Sequence, residues 1–350
     1  MSKAYDGLME LAETVQIPVI TTLMGISCFP TSHYLYAGWP GMHGMAYASL
    51  ALDEADLIIA LGMRFDDRIT GNPATFCPNS KKIHVDVDPS EIGKNIPVDV
   101  PIVGDIRLVL EALNKQMEPA KHVEWLDRID ELKRDHPLVD PATCEELQAR
   151  YVVKEIAEVT EGDAVIVTGV GQHQMWAAQY YPFKEPCSLV SSCGSGTMGY
   201  EVPGALGAQV GRPDKVVWSV AGDGGFQMTM VELATLVENN IPVKFAIMNN
   251  NSLGMVRQWQ DLFYDKSFVA TVYKGNPDFV KLAEAFGILG LRVTEKSRVR
   301  AAIQQAMEHD GPVVIDFVVA QTDNVYPMIP AGTSINELIE ETTLERARQQ

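Results

Sequence analysis

The tripeptide Gly222-Asp223-Gly224 closes the apolar run Val216-Val217-Trp218-Ser219-Val220, and Asn249-Asn250 closes a second run, Val243-Lys244-Phe245-Ala246-Ile247-Met248. Between the two signals lie residues 225 to 248, which is 24 positions, and the stretch 226–239 within them has the pattern of an amphipathic helix. A strand, a crossover helix and a second strand of this length form a parallel pair. Asp223 and Asn250 then lie side by side at two strand ends. One carboxylate and one amide oxygen, beside a glycine-rich helix start with open N–H groups, suit a hard cation that carries a diphosphate, because Mg²⁺ takes one or two protein oxygens together with phosphate oxygens. Alone, Gly-Asp-Gly is a tight turn and Asn-Asn a strand cap. The pairing at this spacing argues for the metal.

Such a fold needs room, and 350 residues are enough for about two domains at roughly 150 residues each. The net charge of −18 argues against a nucleic-acid backbone or an anionic membrane as partner. An anionic cofactor must therefore be held locally, by a metal, helix N-termini and single arginines. Five cysteines, at 28, 77, 144, 187 and 193, form no C-x-x-C pair, so neither a disulfide framework nor a zinc site is expected. With no apolar run of about 18 residues and a polar, acidic opening, the expectation is a cytoplasmic protein without a membrane segment.

Short apolar runs at 18–22, 55–62 and 82–88 alternate with helical patterns up to about residue 115. This alternation predicts a doubly wound parallel sheet, with ligands at the turns that end its strands. Residues 116–150 turn to Lys, Glu, Asp and Pro with weak helical periodicity and read as an exposed helical connector. A second α/β unit, 151–350, shows strands near 164–168, 187–191, 216–220, 243–249 and 312–319.

Three further strings stand around the Gly-Asp-Gly and Asn-Asn signals: Gly171-Gln172-His173-Gln174-Met175-Trp176-Ala177-Ala178-Gln179, Met198-Gly199-Tyr200 and Leu253-Gly254-Met255-Val256-Arg257-Gln258-Trp259. With them the chain resembles the thiamin diphosphate enzymes, and within these the catalytic subunit of acetolactate synthase (acetohydroxyacid synthase), over almost its whole length. The resemblance implies two doubly wound α/β domains, a truncated FAD-type middle domain and a domain for thiamin diphosphate and Mg²⁺. That cofactor is an electron sink for decarboxylating a 2-keto acid. The implied reaction decarboxylates pyruvate and adds the two-carbon unit to pyruvate or 2-ketobutyrate, a step of branched-chain amino-acid biosynthesis.

Residue roles follow from the same resemblance. The backbone carbonyl of Ser252 joins Asp223 and Asn250 on Mg²⁺, and Gly171, Gly196, Gly222, Gly224, Gly225, Gly254 and Met255 line the cofactor. Gly224 and Gly225 admit the diphosphate closely, having no Cβ. The family commonly carries Ser where Gly225 stands and Asp where Ala221 stands, which implies one diphosphate hydrogen bond fewer. Met198 props the cofactor into its bent form; as an isolated residue it would read as a core methionine. Gln172 and His173 line the diphosphate and reaction face, and His173 is suited to moving protons by an unperturbed pKa near neutrality. Met255, Val256 and Trp259 wall the channel of the second keto acid, where one methylene is worth about 1–3 kcal/mol.

In the first part, Thr22-Leu23-Met24, Gly41 and His43, Gly62, Arg64, Asp66, Arg68, Asp86-Val87 and Gly104-Asp105 resemble the family's FAD-binding segments. Arg64 suits a pyrophosphate or flavin face and Asp86 a ribose or adenine hydroxyl. Singly they are turns and caps; their order and spacing carry the expectation. Residues 1–16 read as a helix that ought to follow a strand. In the family a pyrimidine-binding domain and the first strand of the middle domain precede this point, so the sequence looks like the C-terminal two-thirds of a subunit: a fragment, a displaced start or half of a split enzyme. A glutamate of that domain activates the cofactor ring, and no residue here is assignable to that role. The expected partners are 2-keto acids, a pyrimidine-domain chain within a homodimer or tetramer, and a regulatory subunit. Glyoxylate carboligase and pyruvate oxidase fit the strings around 172 and 253 less well. From another class, a non-catalytic cofactor-binding fragment or assembly module is the alternative. A Rossmann dehydrogenase lacks its G-x-G-x-x-G turn with a downstream acid.

Overall fold

A computed structural model describes residues 2–341. It divides into two compact units, one formed by residues up to 139 together with those from 326 onward, the other by residues 140–325. In the first unit three parallel strands, β1 (Leu57–Leu61), β2 (Lys81–Asp86) and β3 (Val100–Val103), pair in the order β1-β2-β3. Ile58 and Ala60 of β1 pack in a core with Leu52, Phe65, Phe76 and Ile96, and Ile329 and Ile335 of the returning chain fill the same core.

Two expectations for this unit change. The run at 18–22 makes only a single bridge, Val19 to Tyr36, because Pro18 has no amide hydrogen and the chain turns at once into the 3₁₀ helix Leu23–Cys28. The supposed connector at 116–150 contains the helix Val123–Asp135, which buries Ile129 and Leu132 beside Ala37 and Ala51 while Glu124, Asp127, Asp130 and Glu131 stay exposed. Its apolar residues recur with the helical period, so one stripe packs although the composition is charged. By its contacts the first compact unit extends past the expected boundary at 115 to 139 and takes in residues 326–341 as well.

The second unit is one sheet of six parallel strands: β4 (Val165–Thr168), β5 (Leu189–Ser191), β6 (Val217–Gly222), β7 (Lys244–Asn249), β8 (Leu289–Val293) and β9 (Val313–Val318), ordered β5-β4-β6-β7-β9-β8. From β4 the chain moves outward to β5, and from β6 it moves the opposite way to β7. The carboxyl ends of β4 and β6 therefore flank the switch point, where open α/β sheets take ligands.

The connection from β6 to β7 is a crossover, yet not one helix. The helix Asp223–Thr229 starts at Asp223 itself, a 3₁₀ turn Met230–Glu232 follows, and a second helix spans Leu233–Glu238. The break falls where the Thr229 hydroxyl donates to the Gly199 carbonyl at 2.7 Å. Phe226 holds the first helix down: it is fully buried and meets Phe245 and Phe279 edge to face, each at 5.8 Å. No helix among the described residues is long and apolar enough to cross a membrane, and none of the five cysteines is in a disulfide.

Candidate functional site

The register of β6 on β7 pairs Gly222 with Met248, so the turns leaving these strands are neighbours. Asp223 is almost completely buried. Its Oδ1 accepts the Gly224 N–H at 2.8 Å and its Oδ2 accepts the Asn276 amide at 2.7 Å. Burial raises its pKa to about 6, opposed by the Asn276 hydrogen bond and by the N–H groups of Gly224, Asn251 and Ser252. Those last two donors show that the loop after β7 folds over the carboxylate. Within that loop the Asn250 Oδ1 accepts the Ser252 N–H at 3.1 Å, and Ser252 is buried. The structure thus brings Asp223, Asn250 and Ser252 together.

These residues fit a metal that carries a phosphate. The Asp223 carboxylate supplies the negative charge, and the Asn250 carbonyl oxygen keeps a lone pair beyond the Ser252 N–H. Among the described residues no cluster of three His, Cys, Asp or Glu gathers anywhere, so a cation held here takes hard amide, carbonyl and carboxylate oxygens and completes its shell from a ligand. The glycines form a cradle that a Cβ would fill. A Cβ on Gly222 would stand 2.9 Å from the His173 ring, one on Gly224 would collide with Tyr273, and one on Gly254 would collide with the Gln172 carbonyl.

Gly171, Gln172 and His173 come from the turn after β4. Gly171 has φ of 147°, outside the reach of most side-chain-bearing residues, and precedes the helix Gln172–Tyr180. Gln172 is engaged on both sides: its amide donates to Gln258 Oε1 and to the Asp323 carbonyl, each at 3.0 Å, and its Oε1 accepts from Asn250 at 3.4 Å. It therefore ties the 250 loop to the helix Gly254–Phe263 and does not present a free amide. His173 is buried with Nε2 unpartnered, and burial lowers its pKa to about 4. The imidazole is neutral at physiological pH, so the near-neutral titration expected of it is displaced. Met198 is half-buried and follows the exposed stretch 194–197, in which Gly196 has open space around it. Met255, Val256 and Trp259 follow one another along the helix Gly254–Phe263, with Val256 exposed and Trp259 meeting Phe263 edge to face at 5.7 Å.

Sequence reasoning missed Asn276 and Glu201. Asn276 stands in the turn signal Asn276-Pro277-Asp278, which marks a bend but no partner. Glu201 is a single acid among apolar residues, fully buried, with neither oxygen in a hydrogen bond of good geometry. It fills the space where side chains on Gly169 and Gly225 would stand. Burial raises its pKa to about 7.

In the first unit the carboxyl ends of β1, β2 and β3 are tied together by the Gly62 N–H to the Val85 carbonyl at 2.8 Å and the Gly104 N–H to the Asp86 carbonyl at 2.9 Å. Gly62, Asp86, the exposed Val87, Gly104 and Asp105 thus share one edge. Gly41 and His43 lie against the turn at 68, through the Met42 N–H to the Arg68 carbonyl at 2.8 Å. His43 is buried, and burial with the Arg68 charge lowers its pKa to about 4. Arg64 pairs with Asp66 at 2.9 Å and Arg68 with Asp67 at 2.9 Å, while Asp66 and Asp105 cap helices. Thr22 is the N-cap residue of the 3₁₀ helix Leu23–Cys28, where Met24 is exposed.

Two family models match the chain: the C-terminal TPP-binding domain of thiamine pyrophosphate enzymes over residues 169–317, and the central domain of the same enzymes over residues 1–113. The chain is 47% identical over 346 residues to the acetolactate synthase large subunit of Corynebacterium glutamicum, covering 96% of this chain and 55% of the relative. It is 47% identical over 348 residues to acetolactate synthase of Mycobacterium bovis, covering 96% and 56%. It is 44% identical over 348 residues to the chloroplastic acetolactate synthase 1 of Zea mays, covering 95% and 54%. The chain spans about half the length of the curated relatives it matches.

Proposed function

Because the chain belongs to the thiamine pyrophosphate enzymes, we propose that it forms the cofactor-anchoring part of an acetolactate synthase-type carboligase, acting on pyruvate and 2-ketobutyrate in branched-chain amino-acid biosynthesis. The observation that carries this reading is the closure of the 250–252 loop over the buried Asp223 at the sheet's switch point. When bound, thiamin diphosphate supplies the sink for the charge left by departing CO₂.

The protein's own part is binding, orientation and exclusion. Asp223, Asn250 and the Ser252 carbonyl hold Mg²⁺, and Gly222, Gly224 and Gly254 keep side chains out of the diphosphate's way. His173, neutral and with a free Nε2, serves as a hydrogen-bond donor or acceptor rather than as a cation. Met198 offers an apolar support from its loop, and Met255, Val256 and Trp259 form the wall against which the second keto acid is selected. In the first unit the strand edge at Gly62, Asp86 and Gly104 is the place for FAD, with Arg64 and Arg68 beside it as anion partners. Relatives named as large subunits support a partner subunit as well.

The test pairs the purified chain with a pyrimidine-binding domain, Mg²⁺, thiamin diphosphate, FAD and pyruvate. Acetolactate is expected, and Asp223→Ala abolishes both it and the calorimetric signal of Mg²⁺-dependent cofactor uptake. Unchanged cofactor affinity in that variant removes Asp223 from the site. Cofactor uptake without acetolactate removes the carboligase and leaves a binding module.

A further inference from the structure

Asp223 faces an unusual requirement: it must stay charged while buried and still point its lone pairs in fixed directions. No lysine, arginine or histidine pairs with it among the described residues. Its partner is a neutral amide. Asn276 donates from the one Nδ2 to Asp223 Oδ2 at 2.7 Å and to Asn249 Oδ1 at 2.8 Å, and its Oδ1 accepts from Gln227 at 3.2 Å. Reversing the amide would set its oxygen against the carboxylate, so the orientation is determined.

Asn249 is held in turn. Its Nδ2 donates to Asp316 Oδ1 on β9 at 2.8 Å, and Asp316 Oδ2 accepts from Arg292 Nε on β8 at 2.9 Å. Arg292 reaches Asp278 at 2.6 Å, and Asp278 caps the helix Phe279–Ala285 two residues after Asn276. The bonds close into a ring that runs from the end of β6 through β7, β9 and β8 back to the 276–278 turn. A cation in the place of Asn276 would neutralise the carboxylate; an amide orients it and leaves the charge for a metal.

We propose that Asn276, locked by this ring, is the positioning residue that sets the Asp223 carboxylate for a small octahedral cation. The inference rests on the metal reading of Asp223 given above. Loss of an outer partner of a metal ligand typically costs about tenfold to a hundredfold in affinity. Mg²⁺ demands near-ideal octahedral geometry, whereas Ca²⁺ accepts longer and more irregular coordination. A carboxylate freed to swing therefore penalises Mg²⁺ more than Ca²⁺, which a mere loss of packing would not do.

The experiment is a calorimetric titration of the full chain with Mg²⁺ or Ca²⁺ in the presence of thiamin diphosphate. Asn276→Ala is expected to weaken Mg²⁺ by about tenfold to a hundredfold and to lower the Mg²⁺-to-Ca²⁺ affinity ratio. Asn249→Ala, which removes only the second tie, gives a smaller change of the same sign and decides the matter if Asn276→Ala does not fold. A parent chain that binds while its folded variants keep the parent ratio overturns this inference alone. A parent that takes up no metal with the cofactor overturns the metal reading and this inference with it.

Discussion

Two buried carboxyl groups stand near the same glycines and are treated in opposite ways. Asp223 is given well-formed donors on both oxygens, whereas Glu201 meets only its own N–H and that of Gly199, in poor geometry, and is sealed between Gly169 and Gly225. For Glu201 burial dominates and lifts the pKa from 4.5 to about 7, only partly opposed by its own N–H and that of Gly199. An acid whose folded pKa lies above its unfolded value holds its proton more tightly when folded. Its contribution to stability is therefore full below pH 4.5 and is lost as pH rises through about 7. The difference between the two values is worth on the order of 3 kcal/mol. Glu201→Gln keeps the volume and cannot ionise, so its thermal midpoint should match the parent's shape at pH 5 and lose less on going to pH 8. Parallel pH curves would assign the loss to another group. Asp223 and Asn250 were legible in the sequence because each ends an apolar run. Asn276 was not, since its role comes from a contact across 53 positions. The charge state of His173 was equally hidden, because it depends on enclosure rather than on neighbours in the chain.

At the level of elements, the helix start that carries Asp223 is placed by Phe226. The ring sits between Phe245 of β7 and Phe279, whose helix follows the Asn276 turn, so one side chain sets both sides of the carboxylate. Removing it leaves a cavity with little chance of collapse among strands. Phe226→Ala should cost about 3–5 kcal/mol, and Phe226→Leu, which nearly conserves volume, less than about 1.5 kcal/mol. Urea unfolding checks this, and an alanine variant as stable as the parent would mean that the cluster repacks freely. Strands with long apolar runs, β6, β7 and β9, were readable from sequence. Two edge strands were not: β3 contains Pro101, tolerated because it pairs only with β2, and β8 carries Gly290 and the half-exposed Arg292. β3 has no buried residue and β8 only one, so neither shows a continuous apolar signal. The break at Thr229 escaped for a different reason, as its cause is a carbonyl thirty residues back.

At the scale of the whole molecule, the question is how much of a working site two units can supply. On the reading proposed above, two acids among the described residues stand by the cofactor-binding glycines: Asp223, assigned to the metal, and the fully buried Glu201. With Asp223 committed to the metal and Glu201 buried, that reading expects ring activation from a group other than these two acids. The segment after Met255 leaves Val256, Tyr264, Val269 and Val272 exposed. We therefore expect the chain alone to bind Mg²⁺ and thiamin diphosphate weakly and to gain turnover when a pyrimidine-binding domain with its glutamate is added in trans. Acid–base assistance is typically worth about 10²–10⁴-fold, and completing the cofactor's second wall should add to that. Acetolactate formation followed against increasing amounts of the added domain should rise and saturate. If the purified chain by itself turns over pyruvate at ordinary enzyme rates, about 1–10³ per second, the half-site reading fails, and an activating group must be sought within the chain.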